Sequence, residues 1–92
     1  MLYYMQNYLA EFVGTTIFVY IILATGNPLA IGATLALVIL LTSSYSGGHM
    51  NPAVSIAMAA AGNLPVADLT PYILSQIMGG LVALELYKRF QI

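Results

Sequence analysis

The sequence predicts an all-α membrane protein, with three transmembrane helices and one re-entrant half-helix in a single domain over residues 1–92. Three observations carry that expectation. Hydrophobic residues make up 61% of the chain and charged residues 5%, where soluble domains carry about 25% charged residues. Between Glu11 and Asp68 there is no Asp, Glu, Lys or Arg, so a soluble fold could not cover its apolar surface and a lipid bilayer is the expected surrounding. Residues 43–61 are apolar yet broken in the middle by Ser, Gly, His and Asn-Pro. No basic patch exists to bind nucleic acid, and without Cys there is no disulfide or thiolate site.

Residues 1–8 hold Tyr3, Tyr4 and Tyr8 beside Gln6 and Asn7. Tyr favours the headgroup level, so this stretch is expected as a short helical extension at the surface. It lacks the basic region and cleavage site of a signal peptide. The first span covers about 4–24. Its apolar part, Leu9 to Ala24, reaches only roughly 24 Å and recruits a turn from residues 4–8. Thr25-Gly26-Asn27-Pro28 is so short a turn that the second span, about 28–44, must return antiparallel. Gly14, Gly32, Ala33 and Ala36 are small enough to let helix backbones approach.

The re-entrant loop and half-helix cover about 45–61. Asn51 is a preferred N-cap, Pro52 suits a first helical position, and Gly62-Asn63 is a stop signal. About 11 residues give roughly 16 Å, half the hydrocarbon thickness. Residues 63–71 read as a loop with two prolines. The third span, about 71–89, has Tyr72 and Tyr87 near its ends and closes at Lys88-Arg89. Irregular backbone at membrane depth is tolerated only where protein covers it or where it lines a wet cavity. Residues 43–50 therefore line a cavity or pack against a partner.

Ser46-Gly47-Gly48-His49-Met50-Asn51-Pro52-Ala53-Val54-Ser55 resembles the first signature loop of the major intrinsic proteins, the aquaporins and glycerol facilitators. Ala10-Glu11-Phe12-Val13-Gly14-Thr15 resembles that family's first helix, and Tyr72-Ile73-Leu74-Ser75-Gln76-Ile77-Met78-Gly79-Gly80 its third. The three occur in the family's order. Family members have six spans and two half-helices in an inverted repeat, with two Asn-Pro-Ala motifs meeting at mid-pore. This chain resembles the first repeat alone. Met1 at the start and a finished third span are what a self-contained half would show.

The resemblance implies a pore. Asn51 would donate its amide N–H groups to passing water or glycerol, with Pro52 and Ala53 completing the motif. The carbonyls of Gly47, Gly48, His49 and Met50 would form an acceptor ladder along extended backbone. Ile31 falls at a constriction position, and Val54 stands where the family's second repeat places an arginine. Two mid-sized apolar residues there suit small neutral polyols as well as water. Glu11 would accept hydrogen bonds from the loop, with His49 and Gln76 also bracing it. The residues alone leave other readings open: Asn51 as a plain N-cap and Glu11 as a proton relay. Gly79-Gly80 mark a close helix crossing. The lone His49 has no ligand partners for a metal, no catalytic pair is visible, and no cofactor is implied.

Only two basic residues, Lys88 and Arg89, bias the orientation. Insertion both ways would give an antiparallel homodimer about a two-fold axis in the membrane plane. Its Asn51 residues would meet at the centre, and four such pores would cluster as family members do. A reading of a different class is a non-conducting or truncated half that pairs with a full-length channel.

Overall fold

The computed structural model describes residues 2–90, with side chains from Met5 onward. The expectations for Tyr3 and Tyr4 therefore lie outside the described side chains. Four helices follow in order: α1 (Leu2–Thr25), α2 (Pro28–Thr42), α3 (Pro52–Ala60) and α4 (Val66–Arg89). No strand occurs among the described residues. Helix α1 packs on α4 and on α2, α3 packs on α4, and α2 touches neither α3 nor α4.

Two helices are long and apolar enough to cross a membrane. Met5–Thr25 and Val66–Arg89 have mean hydropathies of 1.7 and 1.3, yet only 17% and 22% of them is buried inside the fold. A core helix of a soluble protein would hide most of its apolar surface; here Leu9, Val13, Ile17, Leu74, Ile77 and Leu81 face outward. Helix α2 has 15 residues, or roughly 22 Å, less than a hydrocarbon core of about 30 Å.

The boundaries differ from the sequence reading at several points. Helix α1 is continuous from Leu2, so residues 2–8 are its first turns rather than a separate surface extension. Helix α2 ends at Thr42, and residues 43–46 form a turn. Helix α3 ends at Ala60, with Ala61 as its C-cap. Helix α4 starts at Val66, not Pro71, and Pro71 lies inside it. A proline there removes one backbone donor. Asp68 places a carboxylate in the first turn, where the helix end is positive. Its Oδ1 also accepts from the Tyr8 hydroxyl at 2.8 Å.

Helices α1 and α4 run side by side in the same direction. The Tyr20 hydroxyl donates to the Phe90 carbonyl at 2.9 Å, tying their far ends. Between the two ties, a Cβ at Gly79 would stand 2.7 Å from the Phe12 carbonyl oxygen, so the backbones touch there. Gly80 has only Val19, at 4.0 Å, and Gly32 has nothing within 4 Å. Of the expected close approaches, Gly79 and Gly14 mark real ones and Gly32 does not. A Cβ at Gly14 would overlap the Met50 sulfur and lie 2.8 Å from Val38 Cγ1.

Candidate functional site

The site is the N-terminus of α3 and the loop leading into it. Asn51 is extended, with φ −155° and ψ 126°. Its Oδ1 accepts from the Ala53 N–H at 2.8 Å. With Pro52 next, this is a side-chain N-cap followed by the residue least hurt by lacking an N–H. The cap occupies the oxygen of the amide and leaves its NH₂ exposed, without a partner among the described residues. About half a positive charge resides at such a helix end.

The loop is not plain extended backbone, which corrects the expectation for Gly47–Met50. Gly47, Gly48 and Met50 all have positive φ, at 89°, 69° and 58°. Glycine adopts this without penalty, and Gly48 needs it for space as well, since a Cβ would stand 3.2 Å from Ile39 Cα. Met50 is the only non-glycine residue of this kind among those described. A left-handed conformation costs it about 1–2 kcal/mol. Its side chain is buried against Gly14, and Thr15 Oγ1 contacts its sulfur at 3.7 Å.

Glu11 holds this conformation. It is fully buried in α1. Its Oε2 accepts from Ser46 Oγ at 2.6 Å and the His49 N–H at 3.0 Å. Its Oε1 accepts from the Met50 N–H at 2.9 Å and Gln76 Nε2 at 2.8 Å. Four donors meet a carboxylate's four acceptor sites, the arrangement in which an ionised carboxylate is fully hydrogen-bonded. Two of them are backbone groups at His49 and Met50, so α1 fixes the backbone directly before Asn51.

A second set of contacts reaches the loop from α4. Gln76 gives its other N–H to Ser55 Oγ at 2.9 Å, and Ser55 Oγ lies 2.8 Å from His49 Nδ1. The His49 ring leans on Tyr72, with centroids 5.2 Å apart. Tyr72 donates to the Ser46 carbonyl at 2.9 Å. Asp68, Tyr72, Gln76, Gly79 and Ala83 are the buried residues of α4. They recur at spacings of three and four, one face of the helix.

The structure thus brings Glu11, His49, Met50 and Gln76 into one buried cluster, with Asn51 and Pro52 at its edge. Ala53 and Val54 are exposed on α3, and Ile31 is half-buried on α2. Helices α2 and α3 do not pack on each other, so the fold of this chain does not itself bring Ile31 and Val54 into one ring. The bracing roles of Ser55 and Tyr72 went unread. The available signal was spacing, since Ser55 lies one turn after Asn51 and Tyr72 one turn before Gln76. Ser55 is fully buried, so its contact with His49 has no route to a substrate. An open groove of about 500 Å³ lies between α1 and α4 at the α3 N-terminus, lined by Thr15, Asn51, Gln76 and Gly80 among others.

A family profile described as Major intrinsic protein matches residues 2–92. A glycerol uptake facilitator protein-like 6 from Lactiplantibacillus plantarum is 40% identical over 95 residues, covering 94% of this chain and 44% of its own length. Aquaporin-8 from Mus musculus is 38% identical over 96 residues, covering 92% of this chain and 37% of itself. Aquaporin Z from Brucella melitensis is 43% identical over 58 residues, covering 63% of this chain and 25% of itself. The chain spans less than half the length of the curated relatives it matches.

Proposed function

Because this chain belongs to the major intrinsic protein family, whose members are membrane channels for small neutral solutes, we propose that it supplies half of such a channel. The pore would conduct water and small neutral solutes such as glycerol. The observation that carries this reading is the division of labour within Asn51. The oxygen caps α3 and the NH₂ is left exposed beside a positive helix end. A solute oxygen meets donors there, and a cation meets repulsion. The carbonyls of the loop from Gly47 to Met50 would supply acceptors on the same path.

In this reading α1, α2 and α4 span the membrane, and the loop with α3 re-enters from the side where Tyr8 and Asp68 meet. Helix α2, short of a full span, is completed by the turn at 43–46. The missing wall is a second half. Support for an antiparallel copy comes from α2 and α3, which do not pack on each other and leave Ile39, Val54 and Ile56 exposed. The charge pattern fits as well. The chain has only two basic residues, Lys88 and Arg89, so the bias toward one orientation is weak. Four such pores would cluster. Val54 and Ile31, with no arginine beside them, would leave the narrow point wide enough for polyols.

The test is the osmotic response of liposomes that contain only this protein, with wild type beside Asn51→Asp. Asp also caps helices well, so folding is kept while the two donors are lost and a negative charge is added. Fast shrinkage in wild type and a loss of more than tenfold in the variant support the reading. No flux from inserted, helical wild-type protein refutes conduction by this chain alone and favours a non-conducting half that pairs with a full-length channel. Flux of water but not glycerol refutes the proposal for the filter. A tag-accessibility assay showing a single orientation refutes the antiparallel pair.

A further inference from the structure

The loop before α3 passes through positive φ at Gly47, Gly48 and Met50. At the first two positions glycine adopts that conformation without steric conflict. At the third the chain carries a full side chain in a conformation that disfavours it, and that side chain is buried.

The side chain ends in a socket on α1. Its sulfur overlaps the point that a Cβ at Gly14 would occupy, and its Cε lies 2.8 Å from that point. Val38 Cγ1 of α2, also buried, stands at the same 2.8 Å. Thr15 Oγ1 is 3.7 Å from the sulfur. The Met50 side chain is thus a peg in a space bounded by α1 and α2, and that space exists because residue 14 has no Cβ.

Glu11 holds the chain on the entering side of this residue. Its Oε2 accepts from the His49 N–H at 3.0 Å and its Oε1 from the Met50 N–H at 2.9 Å. Those bonds fix the peptide up to the Met50 nitrogen. Rotation about the N–Cα bond is one of the two soft dihedrals of the residue, and it leaves the N–H where it is. It swings Cβ and the carbonyl carbon together, and Asn51 follows the carbonyl carbon. A side chain seated in the socket stops that rotation. Downstream, the next anchored point is Ser55, tied to Gln76 and His49, so the peg is the restraint directly before Asn51. A functional group is effective when held within about 0.5 Å and 10–20° of its working direction.

We infer that Met50 is a positioning residue: its side chain, seated on Gly14, fixes the turn of backbone that aims the Asn51 amide. The inference rests on the reading of Asn51 as a pore donor and names the pair, Met50 and Gly14, that orients it.

Met50→Gly, Met50→Leu and Val38→Ala, compared with wild type in lipid vesicles, test it. Met50→Gly keeps the N–H that Glu11 holds and adopts positive φ freely, so it removes the peg while relieving the backbone. Met50→Leu refills the socket at similar volume. Val38→Ala widens the socket and leaves the loop sequence intact. Two quantities are read: osmotic flux per inserted, helical molecule, and the solid-state NMR line width of the Asn51 side-chain amide, assigned by its absence in Asn51→Asp. In Met50→Gly the flux is expected to fall by about tenfold or more, with the Asn51 resonance broadened or split. Met50→Leu should restore most of the flux and the sharp line, and Val38→Ala should broaden the line to a smaller degree. Wild-type flux in Met50→Gly would overturn the inference, because Glu11 and α3 alone would then aim Asn51. Lost flux with an unchanged Asn51 resonance, or equal losses in Met50→Gly and Met50→Leu, would overturn it as well. Where Met50→Gly does not insert as a helical protein, the Val38→Ala line decides, and a sharp one counts against the socket. Absent flux in wild type speaks against conduction by this chain alone, and the line widths then decide the role of Met50 by themselves.

Discussion

Gly79 and Gly80 are neighbours in one helix, and the structure assigns them opposite responses to the same substitution. A Cβ at Gly79 would meet the Phe12 carbonyl oxygen at 2.7 Å, Thr15 Cβ at 3.1 Å and the Thr16 nitrogen at 3.2 Å. Two of these are backbone atoms that no rotamer change can move. Ordinary contact begins near 3.4 Å, so α1 and α4 must part by about 0.7 Å to regain it. Overpacking of this kind costs about 1–3 kcal/mol, against a gain of about 0.5–1 kcal/mol for replacing a helical glycine with alanine. Gly79→Ala is therefore expected to lose up to about 2.5 kcal/mol. Gly80→Ala meets only Val19 at 4.0 Å and is expected to be neutral or to gain up to about 1 kcal/mol. The propensity gain is shared, so the difference between the two variants isolates the helix contact. The assay is loss of helical circular dichroism on titrating sodium dodecyl sulfate into protein in mild detergent. Parting the helices also stretches the 2.8 Å bond from Gln76 on α4 to Glu11 on α1, so Gly79→Ala should lower osmotic flux where Gly80→Ala does not. Equal stability of the two variants, or a larger loss at Gly80, would refute the packing described for α1 and α4.

Three further substitutions probe the loop. Glu11→Gln replaces one acceptor oxygen by a donor facing donors, so at least one charge-assisted bond is lost at about 1.5–3 kcal/mol; the detergent midpoint should fall and flux should drop with it, and an unchanged midpoint would show that Glu11 does not hold the loop. Tyr72→Phe removes one bond, to the Ser46 carbonyl, and should cost about 1 kcal/mol in the same titration. Gly48→Ala and Gly26→Ala both place alanine at positive φ, but only Gly48 has Ile39 Cα within 3.2 Å; Gly26→Ala should cost about 1 kcal/mol and Gly48→Ala clearly more, with equal losses counting against a close loop–α2 contact.

Local signals located α3 well, because the information for a capped helix end is local. Asn51 followed by Pro52 can satisfy its own backbone, and Gly62 can end the helix with its positive φ of 82°. The start of α4 is ambiguous in the sequence because two prolines six residues apart, Pro65 and Pro71, both look like boundaries. What separates them is tertiary: Asp68 bonds to Tyr8, 60 positions away. Small residues likewise do not announce whether a neighbour is present. Gly32 and Gly79 look alike in sequence, and one faces open space while the other touches backbone. The left-handed geometry at Met50 was equally hidden, since methionine has no preference for it. It is imposed from outside, by a carboxylate 39 positions earlier that holds the Met50 N–H.

The network gives two side-chain amides opposite tasks by pinning opposite ends of each. At Asn51 the oxygen is pinned by the Ala53 N–H, so the amide can present only donors. At Gln76 the nitrogen is pinned by Glu11 and Ser55, so the amide can present only an acceptor. Neither orientation can relax by a flip. Reversing Asn51 sets N–H against N–H at the helix start, and reversing Gln76 sets oxygen against a carboxylate. Ser, Thr or Asp could cap α3 as Asn51 does, but none would leave two N–H groups over. The loop that carries Asn51 is strained at Met50, and its backbone donors are held by Glu11, itself fully buried. Removing the carboxylate would therefore release both constraints together. The Met50 N–H would lose its acceptor, and Gln76 would lose the charge that keeps its oxygen turned away. A donor-presenting amide at the head of a half-helix thus depends on a single buried charge on a different helix.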